Sequence, residues 1–165
     1  VEVMGRHCGQ IAMHVGLSCG ADYVLVPEVT YPEDYDAKTI AARIQAKLKG
    51  KRGPVLIVMA EGVKPKKRTR AHELRCQLEA LLGFTVRETV LGYMQRGGRP
   101  SQFDRRIAIE MADRAVDLLA NGVADRAVGI REDKIFDMDI MEALKVPKVF
   151  DPRLYDLAHR LATPL

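Results

Sequence analysis

The stretch 91–105, LGYMQRGGRPSQFDR, carries the residues whose types and spacing most readily suggest chemistry. Gly97, Gly98 and Pro100 make it a turn, and Ser101 opens the longest helical pattern in the chain. A helix N-terminus after a glycine turn offers unpaired backbone N–H groups and partial positive charge to an anion. Arg87, Arg96, Arg99, Arg105 and Arg106 crowd this region in sequence. A guanidinium donates two parallel hydrogen bonds, which suits phosphate oxygens. Two readings follow from these residues: a grip for a phosphate-bearing small substrate, or a basic turn facing solvent.

Two other places could join such a site. Glu61 follows the apolar run 55–59 and could accept hydrogen bonds from ligand hydroxyls, or could be a solvated carboxylate at a strand end. Met4, Gly5 and Arg6 begin a helical pattern over 4–18, where backbone donors are again free.

The elements that must position these residues alternate. Cys8, Ile11, Ala12, Val15 and Cys19 recur at helical intervals, and Gly20 ends that pattern. Residues 23–26 form a short apolar strand stopped by Pro27. Residues 38–48 are an amphipathic helix with Ile40, Ile44 and Leu48 four apart, followed by a basic turn over 49–53. The unbroken apolar run 55–59 suits a parallel strand covered on both faces. A basic loop over 64–70, a helix over 71–82 and a strand over 85–91 follow. The spacing of Phe103, Ile107, Met111 and Ala115 predicts a helix over 101–121, with Ser101 and Asp104 resembling a capping box. A strand at 126–130, a hairpin-like strand at 134–136, a short helix at 140–144 and a last helix at 153–162 complete the series. The pattern predicts a three-layer α/β/α domain with a mostly parallel sheet, spanning 1–165, on which the last helix packs back. Ligands in such folds sit beyond the carboxyl ends of the strands, which is why Glu61 and the 92–98 turn belong to one expected site.

Other chemistries fit poorly. His7 and His14 are seven residues apart, about 10 Å along a helix, too far to share a metal ion. No GxSxG, GxGxxG or Walker pattern occurs. The segments 47–52 and 64–75 are basic, yet no aromatic residue falls between Lys47 and Arg75 to stack a base. These segments read as a solvated basic face or an anionic effector pocket rather than a nucleic-acid surface, and a net charge of +4 mildly favours acidic or phosphorylated partners. Three cysteines make no paired framework and point to a reducing, cytoplasmic setting. No apolar run approaches membrane-spanning length. The chain opens on Val1 with neither a signal peptide nor an initiating Met, which reads as a piece of a longer protein.

Taken together, MGRHCG at 4–9, VPE at 26–28, AEG at 60–62 and RETVLGYMQRGGRPSQFDR at 87–105 resemble the C-terminal half of the 6-phosphofructokinases. The resemblance implies the fructose 6-phosphate lobe of a bilobed, cytoplasmic, homo-oligomeric glycolytic kinase. It implies that Met4, Gly5 and Arg6 contact substrate, with Arg6 also steadying the transferring phosphoryl group. Glu61 would bind sugar hydroxyls and Arg96 would grip the 6-phosphate. Arg87 would reach into a neighbouring subunit's site. Tyr93 stands where many bacterial members have histidine; it can donate to a phosphate but cannot become a cation. Gly20, Asp22, Lys51 and Arg52 match an allosteric nucleotide pocket, with Asp22 replacing the usual glutamate. The family's nucleotide loop and catalytic aspartate belong to the N-terminal lobe. Magnesium with ATP, or pyrophosphate as the alternative donor, would bind there, and this chain alone is expected to bind neither and to be inactive. The alternative of another class is a non-catalytic regulatory module for anionic ligands.

Overall fold

Val24, Leu25 and Val26 are buried without a break, as are Val58, Met59 and Ala60. A strand can bury consecutive residues only when both of its faces are covered. In the computed structural model, which describes residues 1–29, 37–50, 53–63, 71–147 and 149–162, both runs lie in a three-stranded parallel sheet. β1 (Glu2–Val3) and β2 (Tyr23–Leu25) flank β3 (Ile57–Ala60). Glu2 stands opposite Met59 in one pairing, and Val24 opposite Val58 in the other.

Helices cover each face. On one side α1 (Gln10–Ser18) packs so close that a Cβ on Gly16 would lie 2.5 Å from Val24 Cγ2. On the other, α2 (Ala37–Lys49) and α3 (Ala71–Leu82) join Ile57 and Met59 around an apolar cavity of about 280 Å³. Alternation along β3 separates these two sets of side chains. The α/β layering read from the sequence is therefore present.

The chain divides into two compact units, Val1–Arg96 with Val149–Leu165, and Gly97–Lys148. The first holds the parallel sheet and α1 to α3. It also holds the last helix, Pro152–Ala162, which packs against α1 and β2. There the His159 ring meets Tyr23 edge-on at 4.8 Å, and burial pushes the imidazole below its ordinary value.

In the second unit, α4 (Gln102–Ala120) precedes an antiparallel hairpin of β4 (Arg126–Arg131) and β5 (Lys134–Asp139). A short helix α5 (Ile140–Ala143) follows, so that the last helix of the chain is α6. Arg114 and Arg126 both hold Asp137, at 2.6 Å each. Their hydrogen bonds keep its carboxyl below the usual carboxylate range.

Several expectations change. The helical pattern over 4–18 becomes helix only from Gln10. Residues 4–9 are instead tied to distant partners, and Gly9 donates its N–H to Glu28, at 2.9 Å to Oε1. The run 85–91 forms no strand beyond a single parallel bridge between Val90 and Glu2. Its partner β1 is two residues long, so only two backbone hydrogen bonds are available, Glu2 N–H to Thr89 O and Leu91 N–H to Glu2 O. The 126–130 strand pairs antiparallel with 134–139 and lies outside the parallel sheet. β1 carries no sequence signal of its own, being too short for a period to show.

Candidate functional site

Parallel strands release their chains at one edge, and β1 and β3 do so together. After Val3 the backbone runs into Met4–Arg6, and after Ala60 into Glu61–Val63. The two segments lace: Glu61 N–H donates to Val3 O at 2.8 Å, and Gly62 N–H to Gly5 O at 3.0 Å. Gly5 N–H donates back to Glu61 Oε1 at 3.4 Å. This crossing needs two glycines. Gly5 sits at φ 140°, a region that side chains disfavour. A Cβ on Gly62 would lie 2.1 Å from Arg6 O, inside contact distance.

The third segment arrives from 89–91. A 3-10 turn, Gly92–Gln95, follows the bridge to Glu2, and Arg96 caps it by donating its N–H to Tyr93 O at 2.9 Å. Gln95 Oε1 accepts the Met4 N–H at 2.7 Å. Met4–Arg6 is thus the hub, joined to Glu61 on one side and to the Gly92–Arg96 turn on the other. The Arg96 guanidinium lies 5.4 Å from the Tyr93 ring centre, and both side chains face solvent. Neither Arg6 nor Arg96 pairs with a carboxylate among the described residues. The joined segments carry one carboxylate acceptor, two guanidinium donors and a phenol, side-chain types suited to a polyhydroxylated anion.

Of the residues singled out from sequence, the structure brings together the segments bearing Met4, Gly5, Arg6, Glu61, Tyr93 and Arg96. Arg87 is not in that group; it is exposed and lines the cavity between α2 and α3. Gly20 is exposed beyond α1. Asp22 is occupied: Oδ1 accepts Lys47 Nζ at 2.6 Å and Oδ2 accepts Leu56 N–H at 2.8 Å. Lys51 and Arg52 lie outside the described residues.

The helix N-terminus expected to offer donors to an anion already carries a carboxylate. Ser101 and Asp104 form a complete capping box on α4, and Asp104 accepts Ser101 N–H at 2.7 Å. Hydrogen bonds from Ser101 hold the Asp104 carboxyl below its usual range. Sequence reasoning gave no role to Gln95, although it stands inside the QRGG motif, nor to Lys47, hidden among ordinary helix lysines. Among the described residues no three His, Cys, Asp or Glu side chains converge to hold a metal ion, and no helix is long and apolar enough to cross a membrane.

Comparison with known proteins adds to this geometry. Residues 1–119 match the family model described as phosphofructokinase. A protein of Clostridium botulinum named ATP-dependent 6-phosphofructokinase is 47% identical over 158 residues, 96% of this chain and 47% of its own length. A Clostridium acetobutylicum protein of the same name is 44% identical over 162 residues, 98% of this chain and 48% of its own. The solved structure of phosphofructokinase from Saccharomyces cerevisiae superposes with a TM-score of 0.78 at 32% identity, covering 87% of this chain and 20% of that one. The chain spans about half the length of the curated relatives it matches.

Proposed function

The chain belongs to the phosphofructokinase family, and from that premise we propose that it is the sugar-phosphate-binding lobe of a 6-phosphofructokinase. The observation that carries the reading is the lacing of Met4–Arg6 to both Glu61 and the Gln95–Arg96 turn. In this lobe Arg96 grips the 6-phosphate of fructose 6-phosphate with its two-pronged donor face. Tyr93 donates a further hydrogen bond, and Glu61 accepts from the sugar hydroxyls. Met4–Arg6 closes over the sugar. Arg6, which pairs with no carboxylate among the described residues, neutralises charge that develops on the phosphoryl group as it passes to the 1-hydroxyl.

ATP as the donor is supported by the names of relatives 44–47% identical to this chain. Among the described residues no cluster of carboxylates suits Mg²⁺. A metal–nucleotide complex would supply the phosphoryl group and its charge neutralisation from the N-terminal lobe. The 165 residues alone are therefore inactive in this reading. Arg87, exposed and away from the turn, serves a neighbouring subunit of a cytoplasmic homo-oligomer. Gly20, Asp22, Lys51 and Arg52 contribute to binding an effector nucleotide in this reading, with Lys47 anchoring Asp22.

Calorimetric titration with fructose 6-phosphate tests the binding role. Arg96→Ala weakens binding by at least about tenfold, equivalent to roughly 1.4 kcal/mol, and leaves the thermal midpoint nearly unchanged. A lowered midpoint with intact binding makes the turn structural and ends the proposal. Separately, turnover by the isolated chain with fructose 6-phosphate and MgATP or pyrophosphate would refute its inactivity.

A further inference from the structure

Away from the sugar-phosphate edge, α3 and the segment after it assemble a nucleophile, a base and an orienting carboxylate. His72 and Cys76 are four residues apart, on one face of the helix. Cys76 Sγ lies 3.7 Å from His72 Nε2. The other ring nitrogen, Nδ1, lies 3.1 Å from Glu88 Oε2. An ionised Glu88 can only accept there, so in the neutral imidazole Nδ1 carries the proton and Nε2 keeps its lone pair on the side of the thiol. Arg75 completes the group: Nε donates to Glu88 at 2.9 Å, and Nη2 reaches Cys76 Sγ at 3.4 Å. Cys76 is an exposed residue. A thiol flanked by a base that can take its proton and a fixed cation that can stabilise the thiolate has the makings of an activated nucleophile.

We propose that Cys76 is a site of reversible thiol–disulfide exchange, with His72 as its base, Glu88 and Arg75 as positioning residues, and small disulfides of the glutathione type as substrates. The Cys76 S–H proton passes to His72 Nε2 as the sulfur attacks one sulfur of the incoming disulfide. A new S–S bond forms to Cys76 while the original S–S bond breaks. The departing thiolate takes the proton back from His72 and leaves as a thiol. No external oxidant is needed, because the disulfide is itself the oxidant. The chain supplies its own reference thiols: Cys19 is exposed as well, Cys8 is half-buried, and neither has a histidine or arginine partner among the described residues. The reaction does not depend on what the sugar-phosphate edge binds.

The test incubates the full-length protein with glutathione disulfide at neutral pH and follows each cysteine by peptide mass spectrometry. Cys76 is expected to form the mixed disulfide at least tenfold faster than Cys19. His72→Gln removes most of that advantage, and Glu88→Gln a smaller part, while Cys8 keeps its slow rate. A faster Cys8 in either variant would report unfolding, and the other variant then decides. Equal rates at Cys76 and Cys19, or an unchanged Cys76 rate in a folded His72→Gln protein, would overturn the assignment.

Discussion

The two units of this chain are held by different forces. Every fully buried apolar residue among the described residues, except Leu118, lies in the unit built from 1–96 and 149–165. Met13, Leu25, Ile40 and Leu78 are the largest of its side chains that are less than 2% exposed. The other unit has a long helix and a regular hairpin but keeps Ile109, Val116 and Leu119 more than 60% exposed. Its order rests on the β4–β5 ladder, the Ser101–Asp104 box and the two arginines on Asp137. Regular secondary structure and a buried core are thus separable. The candidate sugar-phosphate edge and the Cys76 cluster both stand on the unit that has the core, where rigid backing can hold side chains in register.

Core deletions should expose the contrast most sharply. Leu78→Ala removes a side chain only 1% exposed and is expected to cost about 2–5 kcal/mol in denaturant unfolding. Ile109→Ala, at 69% exposure, should cost about 0.5 kcal/mol or less. Similar losses at both positions would mean that the second unit has a core after all. A middle-sized effect is expected from Ser101→Ala, which removes the α4 cap at about 1 kcal/mol. Hydrogen exchange should then speed up in the first turns of α4 and stay unchanged in β2 and β3.

Acid should give the smallest and most local effect. Asp137 has a native-state carboxyl held below its unfolded value by Arg114 and Arg126. Its stabilisation is therefore complete above the ordinary aspartate range near about pH 4 and fades as pH falls through the native value. Amide protection in β4 and β5 should drop on acidification, and Asp137→Asn should remove that part of the pH dependence. Unaltered acid sensitivity in the variant would show that other carboxylates govern it.

Helix boundaries were the most legible part of the fold. The apolar spacing in α2, α3 and α4 marks one face over three or more turns, enough repeats for the period to stand out. The capping box at Ser101 was equally readable, because both partners lie within one turn. The segment 85–91 misled for a physical reason: its composition suits a strand, but strand pairing is decided by the partner, and β1 offers two residues. Residues 4–9 misled in the opposite sense, since the backbone N–H groups of Met4, Gly5 and Gly9 are tied to Gln95, Glu61 and Glu28, between 19 and 91 positions away.

Local order set what this sequence could determine unaided: the alternation of helices and strands and the family to which its motifs belong. Assembly settled the rest. That Met4 meets Gln95, that Asp22 is spent on Lys47, and that His72, Cys76 and Glu88 form one cluster depend on how strands and helices pack in space. Side chains far apart along a chain become neighbours only when buried surface brings their backbones together, and no spacing within a motif records that distance.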